Sequence, residues 1–342
     1  MADTMRASVL TAPSTIEMQE RPVPTPGPDE VLVQVGSVGV CGSDVHYYKH
    51  GRIADMVVEG PLVLGHEVGG TVVGVGADVP GDRVGQRVAL EPQRPCRRCR
   101  QCKTGHLNLC PDMAFFATPP YDGAFCDFVT VPADFAHPVP DSLSDAAVGL
   151  LEPLSVGLWA NRKGSTTAGS RVFITGAGPI GAVAALSARA MGATDIIVSD
   201  PVASRRQRIT ELIAAHGVDP TGGFDPADLD ADVFLECSGA TPALLDGLKA
   251  LRPGGTAVMV GHGDEHIALP VQDIQVREVM LTGIFRYVDT WPVAISLAAT
   301  GMVDLDALVT ARFGLEEVEA ALTSDADPSS MKSVVVVNEE HR

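Results

Sequence analysis

The chain has 342 residues, more than one compact core accommodates and close to two domains of ~150 residues each. Hydrophobic residues at 45% and charged residues at 20% exclude a disordered or fibrous chain. A formal net charge of −18 repels phosphate backbones and anionic lipid, so neither nucleic acid nor a membrane is expected as a partner.

Met1 to Leu10 lacks a basic start followed by an apolar run, and no targeting segment is expected there. Over residues 1–153 short β-type runs at 30–35, 67–75, 87–90 and 125–131 are cut by Gly, Pro and Asp, the pattern of a mostly β, barrel-like domain. Pro22, Pro24, Pro26 and Pro28 read as a stiff arm between strands. From Leu154 the period changes. A strand at 171–175, a helix at 179–191, a strand at 195–199 and a helix at 204–216 are followed by strands at 232–236, 256–260 and 281–285. Buried strands linked by helices of this length predict a doubly wound parallel sheet. Gly192 and Gly217 stand where left-handed residues would end the two helices. One more helical stretch follows Arg286, and a last strand at 333–337 is free to return to the first domain. The most apolar helix candidate, 181–192, contains Arg189 and is shorter than the ~20 residues of a membrane span; a cytoplasmic location is expected.

Gly176-Ala177-Gly178-Pro179-Ile180-Gly181 follows a predicted strand and opens a helix. In that context the first glycine makes the tight turn, the second lets the backbone approach a pyrophosphate, and Gly181 allows close packing of helix on strand. The helix N-terminus then offers free N–H groups to phosphate. Asp200, at the end of the next strand, suits a ribose diol and repels a 2′-phosphate, which favours NAD over NADP. Arg205 and Arg206 complicate this choice: either they meet a 2′-phosphate, or they flank the adenosine or form a solvated helix face.

Of the seven cysteines, Cys96, Cys99, Cys102 and Cys110 lie within one short stretch, close enough for one tetrahedral, closed and therefore structural zinc site. Arg94, Arg97, Arg98, Arg100 and Lys103 surround them and would offset thiolate charge. Disulfides or an iron–sulfur cluster are the alternatives. Cys41, His66, Glu67 and Glu152 are potential ligands too, but their spacing alone does not connect them.

A resemblance does connect them. Cys41-Gly42-Ser43-Asp44-Val45-His46-Tyr47, Leu64-Gly65-His66-Glu67, Ala117-Thr118-Pro119-Pro120, Leu151-Glu152-Pro153-Leu154 and Phe285-Arg286-Tyr287, with the glycine loop, resemble the zinc-dependent medium-chain dehydrogenases of the polyol (sorbitol or xylitol) type. The resemblance implies an α/β protein. A GroES-like β-barrel catalytic domain would span 1–153, with a structural zinc lobe at 94–111. A Rossmann NAD-binding domain with a doubly wound parallel sheet would span 154–285, and 286–342 would return to the barrel. It also implies oxidation of a secondary hydroxyl of a polyol to a ketose, with hydride transfer to NAD, and one catalytic and one structural Zn2+ per subunit. The catalytic ligands would be Cys41, His66 and a carboxylate, Glu67 or Glu152. One thiolate and one carboxylate already neutralise Zn2+, so one glutamate is expected to bind directly, Glu67 favoured, and the other to act through the zinc water. Ser43 and His46 match proton-relay positions, although His46 also reads as a core histidine. Asp44 would accept the free N–H of His66. Tyr47, Thr118, Glu152, Arg286 and Tyr287 would hold the substrate hydroxyls. The cofactor set takes in Gly176, Gly178, Pro179, Ile180, Gly181, Asp200, Arg205, Val260, Gly261, Phe285 and Arg286. A homo-oligomer is expected, a tetramer ahead of a dimer, joined partly through the sheet edge near 256–261 and 281–285. The alternatives are a related dehydrogenase of threonine or butanediol type, and a nucleotide-binding redox sensor, which would be expected to lack metal ligands.

Overall fold

Val31, Leu32, Val33, Val35 and Val38 are all buried in the strand Glu30–Gly39. A strand covered on both faces belongs in the middle of a sheet, and the computed structural model, which describes residues 3–327 and 329–338, places it there. The sheet runs Ala136–Pro138, Arg87–Leu90, Glu67–Val75, Glu30–Gly39, Lys332–Val336, Val309–Gly314. Phe128–Pro132 pairs with the early part of Glu30–Gly39 and Lys332–Val336 with its end. The last strand of the chain is thus hydrogen-bonded to the core of the first unit, which comprises Met1–Glu152 and Trp291–Arg342. A hairpin of Thr4–Ala12 and Thr15–Pro22 adds a smaller sheet. Its second strand is largely solvent-facing, which hides it from a search for apolar runs.

The second unit is Pro153–Thr290. Its six strands are all parallel and run His216–Val218, Asp195–Ser199, Arg171–Thr175, Ala231–Glu236, Leu251–Met259, Met280–Gly283. The order reverses beside Arg171–Thr175, and ligands of such sheets bind at the carboxyl ends of the strands where it does so. Phe173, Phe234, Leu244 and Leu248 are among the side chains packed between this sheet and the helix Thr241–Ala250.

Several element boundaries differ from expectation, among them the strand predicted at 256–260, which is Leu251–Met259, and the strand predicted at 30–35, which runs on to Gly39. The helix predicted at 204–216 is Ala203–Ile213, with Ala214 taking the left-handed conformation at φ 52°; Gly217 lies in the edge strand His216–Val218 rather than at a helix end. The strand predicted at 125–131 begins at Phe128, because Phe125 is turned wholly into the core and exchanges backbone bonds with Leu64 and Ser8. The strand predicted at 281–285 is Met280–Gly283, and Arg286 beyond it has φ 55°. Gly192 does adopt φ 96°, directly after the helix Pro179–Ala190 and its cap Met191. Among the described residues no helix is long and apolar enough to cross a membrane.

Candidate functional site

In the first unit, the chain leaves the central strand at Gly39 and caps the helix Gly42–His50 with Cys41. Asp44, completely buried, accepts the Cys41 N–H on Oδ2 (3.0 Å) and the Gly65 N–H on Oδ1 (2.9 Å). Oδ1 also lies 3.5 Å from His66 Nδ1. One carboxylate therefore ties the segment bearing Cys41 to the segment bearing His66. Burial opposes its charge, but His66 and the two backbone N–H groups outweigh burial and lower its pKa.

Cys41 Sγ, a ring nitrogen of His66 and a carboxylate oxygen of Glu67 lie within 4.8 Å of one another. A thiolate, an imidazole and a carboxylate form a donor set that suits zinc, and three protein ligands leave a fourth position open. Burial would lower the His66 pKa, but the charges of Asp44 and Cys41 raise it well above its usual value. Glu152 is buried in the first turn of the helix Leu151–Gly164 and lies outside this grouping. A residue not anticipated from sequence, Lys332, donates from Nζ to Glu67 Oε1 at 2.5 Å and to the Val40 carbonyl at 2.7 Å. Burial disfavours its ammonium, yet Glu67, Cys41 and Glu152 together raise its pKa above the ordinary lysine value. The only signal in the sequence is a lysine opening a strand that continues into an apolar run of three valines.

Ser43 is half-buried, whereas His46 is exposed, its ring centroid 4.6 Å from that of His50; the core-histidine reading of His46 does not hold. Tyr47 is buried and donates its hydroxyl to Met56 Sδ at 3.8 Å. Thr118 is half-buried, just before the cis bond of Pro119-Pro120. Arg286 and Tyr287 belong to the second unit. There Tyr287 is fully buried and the Arg286 guanidinium lies 4.6 Å above the Phe285 ring.

The four clustered cysteines also meet. Cys99 Sγ is 3.4 Å from Cys102 Sγ and 4.0 Å from Cys110 Sγ, too far for disulfides at ~2.05 Å and suited to sulfurs around one ion. Backbone N–H groups of Cys96, Cys99 and Cys102 point at the sulfurs of Cys110, Cys96 and Cys99. The Cys102 N–H is the main reason the Cys99 thiol falls to about 7. Not all five neighbouring cations serve the thiolates: Arg94 is bound to Glu30, and Arg97 to Asp134 at 2.6 Å.

In the second unit the glycine loop has the shape a dinucleotide needs. A Cβ on Gly181 would fall 1.8 Å from the Gly176 carbonyl oxygen, whereas one on Gly178 would meet nothing within 4 Å. The missing side chains thus permit close packing at one position and leave open space at the helix N-terminus at the other. Asp200 is buried, accepting Ala177 N–H on Oδ2 (2.8 Å) and Val202 N–H on Oδ1 (2.7 Å); each oxygen retains capacity for a further hydrogen bond. Arg206 is committed to the Asp200 carbonyl and to Asp219, and Arg205 is half-buried. Pro179 and Ile180 open the helix, and Val260 and Gly261 both donate to the Glu236 carbonyl. Sequence reasoning missed Glu236, whose Oε1 accepts the N–H groups of Ser238 (2.8 Å) and Gly239 (2.9 Å) and so shapes the loop after its strand.

Comparison with known proteins agrees with this arrangement. Residues 27–141 match the alcohol dehydrogenase GroES-like domain and residues 179–300 the zinc-binding dehydrogenase family. The chain is 44% identical over 321 residues to sorbitol dehydrogenase of Gallus gallus, covering 91% of this chain and 90% of the relative. It is 41% identical to that of Bos taurus, covering 96% and 94%. Among solved structures, L-idonate 5-dehydrogenase from Escherichia coli superposes with a TM-score of 0.92 at 29% identity, over 98% of each chain. A ligand-bearing GroES-like unit and a glycine-loop Rossmann unit, aligned with these relatives almost from end to end, make the chain a member of the zinc-binding dehydrogenases of the alcohol dehydrogenase type.

Proposed function

We propose that the protein oxidises a secondary hydroxyl of a polyol to a ketose and passes the hydride to NAD. The observation that carries this reading is the buried trio of Cys41, His66 and Glu67 in a chain 44% identical to a sorbitol dehydrogenase. When bound, zinc supplies Lewis-acid polarisation of the substrate hydroxyl. Cys41, His66 and Glu67 hold it, and Asp44 orients the His66 ring. Ser43 and His46 relay the hydroxyl proton, and the His46 ring, being exposed, releases it to solvent. Tyr47, Thr118 and Glu152 offer polar groups to the remaining hydroxyls, so a simple alcohol would leave them unpaired and react poorly. Gly176, Gly178 and Gly181 cradle the pyrophosphate and Asp200 takes the ribose diol, which selects NAD; Arg205, Val260, Gly261, Phe285 and Arg286 line the rest of the cofactor's path. Cys96, Cys99, Cys102 and Cys110 hold a second, structural zinc, which together with seven unpaired cysteines suits a reducing, cytoplasmic setting.

The reading extends to assembly as a homo-oligomer, a tetramer ahead of a dimer. Supporting it, the outer strand Met280–Gly283 and the neighbouring helix expose Met280 (62%) and Val276 (74%), and an uncovered apolar sheet edge is a surface proteins otherwise avoid. The direct test of function is initial rates with NAD over xylitol, sorbitol, ribitol, the arabinitols and galactitol, beside 2,3-butanediol and threonine. A polyol should give the highest kcat/KM; a best rate on butanediol or threonine would overturn the assignment.

A further inference from the structure

Lys332 and Glu67 form an ion pair whose side chains are only 4% and 1% exposed. Gly39, the last residue of the central strand, faces Glu67 on one neighbouring strand and Val334 on the other. From the start of that second strand the Lys332 side chain reaches past the end of the central strand to Glu67 Oε1 and the Val40 carbonyl. Burying an ammonium is expensive, and an apolar side chain of similar volume commonly replaces a buried pair at no loss of stability. The barrel itself therefore gives no reason for a cation here.

The second oxygen of Glu67 supplies one. Oε2 is buried and has no hydrogen-bond partner, and it occupies space that a side chain on Gly39 would claim, 2.0 Å from an ideal Cβ. A buried carboxylate oxygen without a donor is costly unless something else satisfies it.

We propose that Lys332 is a positioning residue for the catalytic metal. Its ammonium occupies Glu67 Oε1, leaves Oε2 as the single oxygen offered to the ion, and cancels the charge of that carboxylate. Cys41 and Glu67 alone would neutralise a divalent cation; Lys332 adds one positive charge to that sum, offsetting the buried carboxylate of Asp44 beside His66, and the less negative cluster polarises a substrate hydroxyl more strongly. The pairing also points to Glu67 rather than Glu152 as the direct ligand. Lys332 therefore gives up some metal affinity in exchange for Lewis acidity and an open coordination position.

This inference rests on Cys41, His66 and Glu67 being the metal ligands, and that reading fails separately: Cys41→Ala would then retain two metal ions per chain. The test compares Lys332→Met and Lys332→Arg with wild type, in the zinc enzyme and after substitution with Co(II). The Arg variant should keep the wild-type visible Co(II) spectrum and turnover. The Met variant should keep both metal equivalents, with affinity by chelator competition no weaker than wild type. Its Co(II) bands should shift and weaken as Glu67 adds a second oxygen, and kcat should fall roughly 10–100-fold with little change in KM. Loss of metal and thermal stability together, with the metal-loaded remainder showing wild-type spectrum and turnover, would overturn the proposal. If the Met variant does not fold, Lys332→Gln, which keeps a donor to Oε1 without the charge, is read in the same assays; wild-type behaviour of that variant, or misfolding of both, marks the pair as structural and overturns it equally.

Discussion

Cys41→Ala and His66→Ala each delete one donor from a three-residue cluster, and neither residue belongs to the hydrophobic core of the first unit. Turnover should disappear, zinc should fall from two to one per chain, and circular dichroism should stay native; residual activity in Cys41→Ala would refute its role. Asp44→Ala removes the bridge to Gly65 and His66, and metal affinity at that site should drop roughly 10–100-fold, as for other supporting residues of metal ligands. Asp200→Ala loses a charge that repels a 2′-phosphate, and also two backbone hydrogen bonds. The informative readout is therefore the ratio of kcat/KM for NADP to that for NAD, expected to rise about 10–100-fold from an interaction of roughly 1.5–3 kcal/mol. Arg206 contributes little to that rise, since it is already held by Asp219 and the Asp200 carbonyl; a wild type that prefers NADP would contradict the reading of Asp200.

The cysteine lobe is an element whose order comes from its sulfurs more than from its apolar residues. Its helix, Arg100–Lys103, has four residues and none of them is buried, so it has no packing to hold it without N–H···S bonds and a shared ion. Cys99→Ser should lower the Tm by roughly 5 °C or more, on a scale of about 2–4 °C per kcal/mol for domains of this size, with turnover per folded subunit little changed. A zinc count of one per chain in wild type, with unchanged melting in Cys99→Ser, would show that the lobe binds no metal. At this scale the parallel strands of the second unit were legible because apolar residues fill strands buried on both faces, as in Arg171–Thr175 and Asp195–Ser199. The hairpin Thr4–Ala12 and Thr15–Pro22 was not, since polar residues dominate its outer strand, and the left-handed Ala214 carries no mark in its residue type.

For the whole molecule, a charge placed on the exposed sheet edge tests assembly: Met280→Glu should shift the protein to a smaller species in light scattering at micromolar concentration. A wild type that is already monomeric would remove the basis for the prediction. What the sequence by itself determined is the chemistry that local spacing encodes. The glycine turn with Asp200, the four closely spaced cysteines and the two fold periods all act over a few neighbouring residues or one strand–turn–helix unit, where chain geometry leaves little choice. Only the tertiary structure decided which distant residues share a volume. Cys41, His66 and Glu67 meet because Gly39 and Glu67 stand opposite each other on adjacent strands, and Lys332 joins them because the last strand pairs with the same central one. Those contacts span most of the chain, and a sheet register sets them, so no local pattern around Lys332 could have announced its partner.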